Sequence, residues 1–212
     1  MRFEPHAAYQ SNYGPYDKPL VIIVPDDRDE AFTTLRTGSQ FLDPKSFQVF
    51  YIEALAVESH ARFRNMFAQV AVVEQSEFLR ANDLPLLNPN APEPEPAEEE
   101  SPVPGEGSEP EFPLPDFVTG DRGYVLEFRN VLFGFGGNRP RYSTEVIFVD
   151  READELLLAG RLEATGRELS PSNNKDFIEE RVRASTVTAC SQLLVETRRK
   201  MAEAIEKGPA SK

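Results

Sequence analysis

A long acidic, proline-rich stretch, residues 85–116, most constrains what this chain can fold into. Within it, residues 91–116 hold eight Glu, one Asp and no Lys or Arg. Its few apolar residues follow neither helical nor strand periodicity. Such a segment cannot bury enough surface to offset the entropy lost on ordering, and like charges and prolines keep it extended. We therefore predict a disordered insertion between two parts of one folded domain.

The uneven charge limits the kinds of partner that the folded part can bind. The formal net charge of the 212-residue chain is −13, and removing the nine charges of residues 91–116 leaves −4 for the rest. Binding to nucleic acid needs a clustered basic surface, which this nearly balanced remainder lacks. The densest basic run, residues 198–200, is predicted to be a solvated helix end. We expect no nucleic-acid partner.

Before the insertion, the sequence predicts a strand, a helix and a second strand. Residues 20–24 form a short apolar run rich in branched side chains, which is typical of a buried strand. Residues 25–46 are rich in turn formers and predict a loop. Residues 46–66 carry a broad apolar stripe at helical spacing, with Ser46 as the N-cap. Residues 70–73 predict another buried strand, which completes a unit of the β-α-β type.

After the insertion, three strands and a long helix are predicted. The strands cover residues 124–133, 145–150 and 156–164, and short polar turns separate them, as in an antiparallel meander. The glycine-rich segment after the first of these strands lacks the spacing of a phosphate-binding loop and predicts a hairpin connection. Residues 175–206 have the apolar periodicity of a helix.

These elements predict an α/β (α+β) fold with two helices packed on one face of a mixed sheet of about five strands. The predicted order is β-α-β, the disordered insertion, then β-β-β-α. The predicted divisions are a flexible leader (1–18), the first part of the domain (19–84), the insertion (85–116), the second part of the domain (117–207) and a tail (208–212).

The chain offers few residues for catalysis or metal binding. Carboxylates follow the first strand from Asp26 to Glu30, which is where α/β proteins often bind ligands. Arg28 interrupts them, and their spacing matches no calcium loop, so a solvated turn is the preferred interpretation. His6 and His60 are the only histidines. We expect no metal, no cofactor and no enzymatic activity.

The single cysteine, Cys190, lies in the apolar stripe of the last predicted helix. A buried, chemically inert thiol is therefore expected. Zinc sites and Ser-His-Asp triads need ligands or nucleophile motifs that the sequence does not contain.

The order of elements and several local phrases resemble small lipoproteins of the bacterial cell envelope. The phrases are IIVPDDR, YVLEFRNVLF, STEVIFVDREADELLLAGRLEAT and FIEERVRASTVTACSQLLVE. The group includes the lipopolysaccharide-assembly lipoprotein, the penicillin-binding-protein activator lipoproteins and domains like the amino-terminal part of TolB. The resemblance implies two helices over a mixed sheet, a lipid anchor at the N-terminus, and a role in binding partners without catalysis. It places the protein in the periplasm and allows an anchor in the outer membrane, whereas a native start at Met1 would favour the cytoplasm.

Three functional hypotheses follow from the sequence. In the first, the protein is a non-enzymatic, lipoprotein-like accessory protein that binds a larger envelope assembly. In the second, it is a cytoplasmic scaffold or adaptor that engages a basic partner through its acidic loop. The third and least favoured is an enzyme that uses the carboxylates after the first strand. The candidate partner-binding residues are Asp26, Asp27, Arg28, Phe112 and Phe117.

Overall fold

The computed structural model describes residues 13–26, 31–35, 45–84, 114–169 and 175–207, with the backbone alone at 31–35, 45–48 and 175–177. Most of the predicted leader, all but the last residues of the predicted insertion, and the predicted tail lie outside the described residues.

Seven strands and four helices make up the described part of the chain. The strands are β1 (Leu20–Val24), β2 (Ala31–Leu35), β3 (Lys45–Val49), β4 (Val70–Glu74), β5 (Tyr124–Gly136), β6 (Arg139–Asp150) and β7 (Glu155–Thr165). The helices are α1 (Tyr51–Phe63), α2 (Gln75–Ala81), α3 (Asp116–Thr119) and α4 (Lys175–Lys207).

Five strands form one mixed sheet in the order β4-β1-β5-β6-β7. Strand β1 is parallel to both β4 and β5, while β5, β6 and β7 form an antiparallel meander. All five residues of β1 are buried because the strand is central and covered on both faces. The predicted mixed sheet and its meander are confirmed, and the first unit, whose strand direction the sequence left open, is parallel.

The first face of the sheet packs against α1 and α4, as predicted. Side chains alternate along a strand, so one set of residues from each strand points to these helices. Leu20 and Ile22 of β1, Leu126 of β5 and Phe148 of β6 are fully buried in this core. The long fourth helix contributes Leu193, among others, to the same cluster.

The second face carries a smaller apolar cluster beneath two short helices that the sequence analysis did not predict. Val21 and Ile23 of β1 pack there with β4, with Phe78 of α2 and with Val118 of α3. The helices have seven and four residues. Segments of this length are too short to show a helical period in the sequence.

The prediction for residues 25–50 was wrong in two respects. Strands β2 and β3 pair as a separate antiparallel ribbon where a loop was expected. Ser46 lies in β3 opposite Thr34, and is therefore not a helix cap. Helix α1 begins only at Tyr51, after Phe50, without a side-chain cap. The spacing of Phe47 and Phe50 had suggested the apolar stripe of a helix. Two apolar residues in so short a run do not distinguish a helix from the end of a strand.

The hairpin between β5 and β6 confirms the interpretation of the glycine-rich segment. Gly136 pairs with Arg139, which leaves a two-residue turn, and Gly137 in this turn has a φ of +65°. Glycine adopts a positive φ without the steric cost that a side chain adds. A bulge interrupts β5 between Arg129 and Leu132, and Asn130 within it has a φ of +49°.

Candidate interaction surface

Asp26 has a structural role at the end of β1. Both of its carboxylate oxygens accept a hydrogen bond from the backbone amide of Ser76, at 2.9 and 3.0 Å. Amides in the first turn of a helix have no partner within the helix, and a negative charge there is favourable. Asp26 therefore caps α2 from outside the helix, although its side chain remains exposed.

Phe117 lies in α3 and is half-buried. Together with Leu114 and Val125 it packs against the apolar cluster on the second face of the sheet. The contacts anchor the chain just where it emerges from the acidic segment. Asp27, Arg28 and Phe112, the other predicted partner-binding residues, lie outside the described residues.

The structure places Asp26 and Phe117 on the same face of the sheet but at opposite ends of α2. Asp26 accepts a hydrogen bond from Ser76, the second residue of this helix. Val118, the neighbour of Phe117, accepts a hydrogen bond from the side chain of Asn82, which follows the last residue of the helix. Seven helical residues span about 10 Å at 1.5 Å per residue. The two candidates therefore do not form a single compact site.

Arg151, which the sequence analysis did not select, connects three elements at the far end of α2. Its Nη1 donates to the carbonyl of Val118 at 3.0 Å, and its Nη2 donates to Oδ1 of Asn82 at 3.0 Å. The guanidinium also lies 5.6 Å from the ring centroid of Phe78. Burial lowers the pKa of Arg151 from its usual value. We call this arrangement the Arg151 bracket.

The Arg151 bracket joins the two ends of the acidic insertion. Asn82 precedes the insertion and Val118 follows it, yet the Asn82 side-chain amide donates to the Val118 carbonyl at 3.4 Å. The same amide donates to the carbonyl of Phe78 at 2.8 Å. The folded domain is thus closed at the base of the insertion by contacts of its own.

On the second face of β5, β6 and β7, which we call the meander face, the packing against described helices is at Val125, which lies beneath α3. Strand register places three rows of side chains across it: Val125–Val149–Leu156, Glu127–Ile147–Ala159 and Arg129–Glu145–Arg161. The first row is apolar and continues the cluster beneath α2 and α3. Its outermost member, Leu156, is 59% exposed. An apolar centre with a charged border is the usual composition of a protein interface.

The charged border of the meander face is held in place by hydrogen bonds. Glu127 accepts from Arg129 at 2.6 and 2.7 Å, and the side-chain amide of Asn130 donates to Glu145 at 2.9 Å. Arg161 donates to Ser143 at 2.8 Å. These contacts hold several of the border side chains in fixed positions in the isolated protein, which reduces the ordering cost of binding.

Cys190 is fully buried between α4 and α1, as predicted. Its Sγ lies 3.7 Å from the carbonyl oxygen of Ala54, to which it donates a weak hydrogen bond. Burial, and secondarily the nearby Glu58, raise the pKa of the thiol well above its usual range. Since the thiolate is the reactive species, this cysteine is poorly suited to nucleophilic chemistry.

We expect the Cys190 thiol to be unreactive towards a water-soluble disulfide reagent at neutral pH until the protein unfolds. The reason is its zero exposure combined with the raised pKa. The measurement is the rate of thiol modification across a urea titration, with free cysteine as the control. Rapid modification of the native protein would show that the space between α1 and α4 opens locally.

The prediction that residues 198–200 form a solvated helix end was wrong for one of them. Arg198 is buried, and its Nε lies 3.0 Å from the sulfur of Met66. Burial and the neighbouring Arg62 lower the pKa of Arg198. Arg199 is exposed, as predicted, and pairs with Glu196.

Within the described ranges, no group of three or more His, Cys, Asp or Glu side chains is arranged to hold a metal ion. His60 is exposed on α1. The helices described here are each too short or too polar to cross a membrane.

The fold defines an α+β protein in which two helices cover one face of a five-stranded mixed sheet and two short helices cover part of the other. No family model matches the chain, and no curated protein matches it. Among the solved structures whose backbones resemble this chain are the following two. One is protein XCC0632 from Xanthomonas campestris, described under family model DUF330, with 10% identity, coverage of 97% of this chain and 95% of that one, and a TM-score of 0.49.

The other is the hypothetical protein CT253 from Chlamydia trachomatis, with 11% identity, coverage of 91% of this chain and 100% of that one, and a TM-score of 0.41. TM-scores under 0.5 at such identities carry neither family membership nor activity from one protein to another.

Proposed function

We propose that this chain is a non-enzymatic accessory protein of the bacterial cell envelope that binds a larger protein assembly through its meander face. The observation that carries the proposal is the apolar row Val125–Val149–Leu156, which begins at the second-face core, where Val125 packs beneath α3, and ends at the 59% exposed side chain of Leu156. A partner that covers this row would extend an existing core.

The chemistry of the described side chains supports binding over catalysis. Asp26 caps a helix, Cys190 is a buried thiol and Arg151 joins α3 to the end of α2. Each of these groups is engaged in stabilising the fold. A catalytic site requires polar groups that converge on a space for substrate, whereas these three are engaged at separate places in the fold.

The envelope location rests on the resemblance to small envelope lipoproteins in the phrases IIVPDDR and STEVIFVDREADELLLAGRLEAT. In that setting a lipid anchor at the N-terminus would hold the domain at a membrane surface, and the meander face would remain available to the assembly. The proposed location is therefore the periplasmic side of a membrane.

Capture of the tagged native gene product from its own cells tests this proposal, with mass spectrometry of both the bait and its partners. A bait that begins at a lipidated cysteine and brings envelope proteins with it is the expected result. An unprocessed bait that begins at Met1 and brings only cytoplasmic proteins would contradict the envelope role.

Leu156→Glu is the variant that tests the surface. It places a charge in the exposed apolar row, and we expect recovery of the partners to fall at least about tenfold, as for loss of one interface anchor. Val195→Glu is the matched control, because Val195 is 52% exposed on α4 whereas Leu156 is 59% exposed. Equal recovery with the two variants would exclude the meander face as the binding surface.

The second candidate function is a cytoplasmic scaffold or adaptor that engages a basic partner through residues 85–116. The nine negative charges within this segment favour it. Replacing residues 85–113 by a short Gly-Ser linker separates the two candidates. If the protein is an adaptor, the unmodified chain binds its partner in a salt-sensitive way and the linker variant does not bind it. If it is an accessory protein, the linker variant retains its partner.

We expect the same replacement to change the free energy of unfolding by no more than about 1 kcal/mol. Closing a loop costs only about 0.6 kcal/mol for each doubling of its length. The Arg151 bracket, which joins the ends of the insertion, is left intact. Urea unfolding of the two proteins measures the difference. A large loss of stability or of cooperativity would show that the replaced segment packs against the domain.

A further inference from the structure

Strand β7 is the last strand of the sheet, and no described strand pairs with its outer edge. It is eleven residues long, so its outer edge presents a row of backbone N–H and C=O groups that another strand can bind. A bulge where Val149 pairs with Leu156 and Phe148 with Leu158 leaves Leu157 unpaired and distorts the first part of the strand. The regular part of the edge is therefore residues 159–165.

Two opposite charges lie on this regular part. Arg161 pairs with Glu145 across the β6–β7 ladder and Glu163 pairs with Ser143, so both side chains project from the meander face. They are 60% and 70% exposed, and Arg161 Nε lies 3.3 Å from Glu163 Oε1. Both are therefore within reach of a strand that adds to the edge.

We propose that β7 pairs antiparallel with β7 of a second copy of this chain, about a twofold axis that passes midway between Leu162 of the two copies, perpendicular to the sheet. In this register Arg161 of each copy lies opposite Glu163 of the other, on the same face of a continuous ten-stranded sheet. Residues 159–165 of each copy form the ladder. The pairing goes beyond the proposed function and leaves Leu156 outside the paired residues.

The charges select this register over its neighbours. An axis at Arg161 would place the two arginines opposite each other, and an axis at Glu163 would do the same for the two glutamates. Like charges directly opposite each other across an antiparallel ladder are destabilising, whereas opposite charges are stabilising. Only the axis at Leu162 gives two attractive pairs, because the sequence around this residue is complementary to itself under a twofold rotation.

Charge reversal of the full-length chain tests the pairing by sedimentation equilibrium. The wild type is expected to dimerise, and Arg161→Glu and Glu163→Arg are each expected to weaken the dimer at least about tenfold, since each replaces two attractions by two repulsions. An equimolar mixture of the two variants restores opposite charges at both positions and is expected to regain dimerisation as a heterodimer. The double variant R161E/E163R is expected to dimerise like the wild type.

Arg139→Glu serves as the matched control, because Arg139 is a similarly exposed arginine in an ion pair with Glu168, away from the β7 edge. Circular dichroism verifies that each variant is folded. A monomeric wild type overturns the proposal. A dimer that all variants form equally, or one that neither the mixture nor the double variant restores, overturns it as well.

Discussion

Replacing Arg62 by leucine is expected to lower the free energy of unfolding by about 3 kcal/mol. Arg62 and Glu58 lie one turn apart on α1 and are almost completely buried, with 4% and 1% of their side chains exposed. The Nε of Arg62 lies 3.4 Å from Oε2 of Glu58. Removal of the guanidinium takes this cation away from a buried carboxylate, so the ion pair no longer offsets its share of the cost of desolvating that charge.

The double variant E58L/R62L tests whether the loss of stability in R62L comes from the buried carboxylate that remains. Replacing both charges by apolar side chains removes the desolvation cost together with the attraction, so we expect this variant to be more stable than R62L alone. Urea unfolding of both variants at neutral pH measures the two values. Arg64→Leu is the control, since Arg64 is exposed at the end of the same helix. A loss for R62L no larger than that for R64L would contradict the prediction.

The parts of the fold that were predicted correctly are those with a strong local pattern. Residues 20–24 are apolar throughout because β1 is covered on both faces, and such a run is visible without any tertiary information. Side chains of β6 alternate between buried and more exposed, and α4 has enough turns for its apolar side to repeat many times. Length and repetition made these elements predictable.

The parts that were missed depend on contacts between distant residues. Helices α2 and α3 are stabilised by packing on the second face of the sheet, where Phe78 and Val118 meet residues of β1 and β4. No local pattern reveals such packing in a helix of one or two turns. The β2–β3 ribbon was missed because turn formers on either side of β2 made the whole of residues 25–46 look like a loop, although β2 itself contains strand formers.

The candidate site was predictable only in part. Asp26 was selected because it follows a buried strand, but its role as a cap depends on Ser76, which is fifty residues away in the sequence. Arg151 lies in a charged turn and has no feature that separates it from a solvated arginine. Arg198 could have been placed correctly, because it lies four residues after Leu194 and three before Met201, both fully buried.

The Arg151 bracket leads to the second large prediction: replacing Arg151 by alanine should lower the free energy of unfolding by about 2 kcal/mol. The substitution removes two hydrogen bonds from a charged donor and a contact with the ring of Phe78. Each such bond contributes roughly 1.5–3 kcal/mol when buried, and partial exposure reduces the sum. Arg122→Ala is the control, since Arg122 is an exposed arginine before β5.

The same variant tests whether the bracket holds the base of the insertion. Without Arg151, the Val118 carbonyl retains only the 3.4 Å contact with Asn82 among the side-chain hydrogen bonds described. Amide hydrogen exchange in α3 should therefore become faster, while that of β1 should change only with global stability. Arg151→Lys retains the charge but not the planar fork that reaches two acceptors, so we expect it to protect α3 poorly as well. If exchange in α3 stays slow in both variants, the packing of Val118 and Phe117 alone is enough to hold the end of the insertion on the sheet.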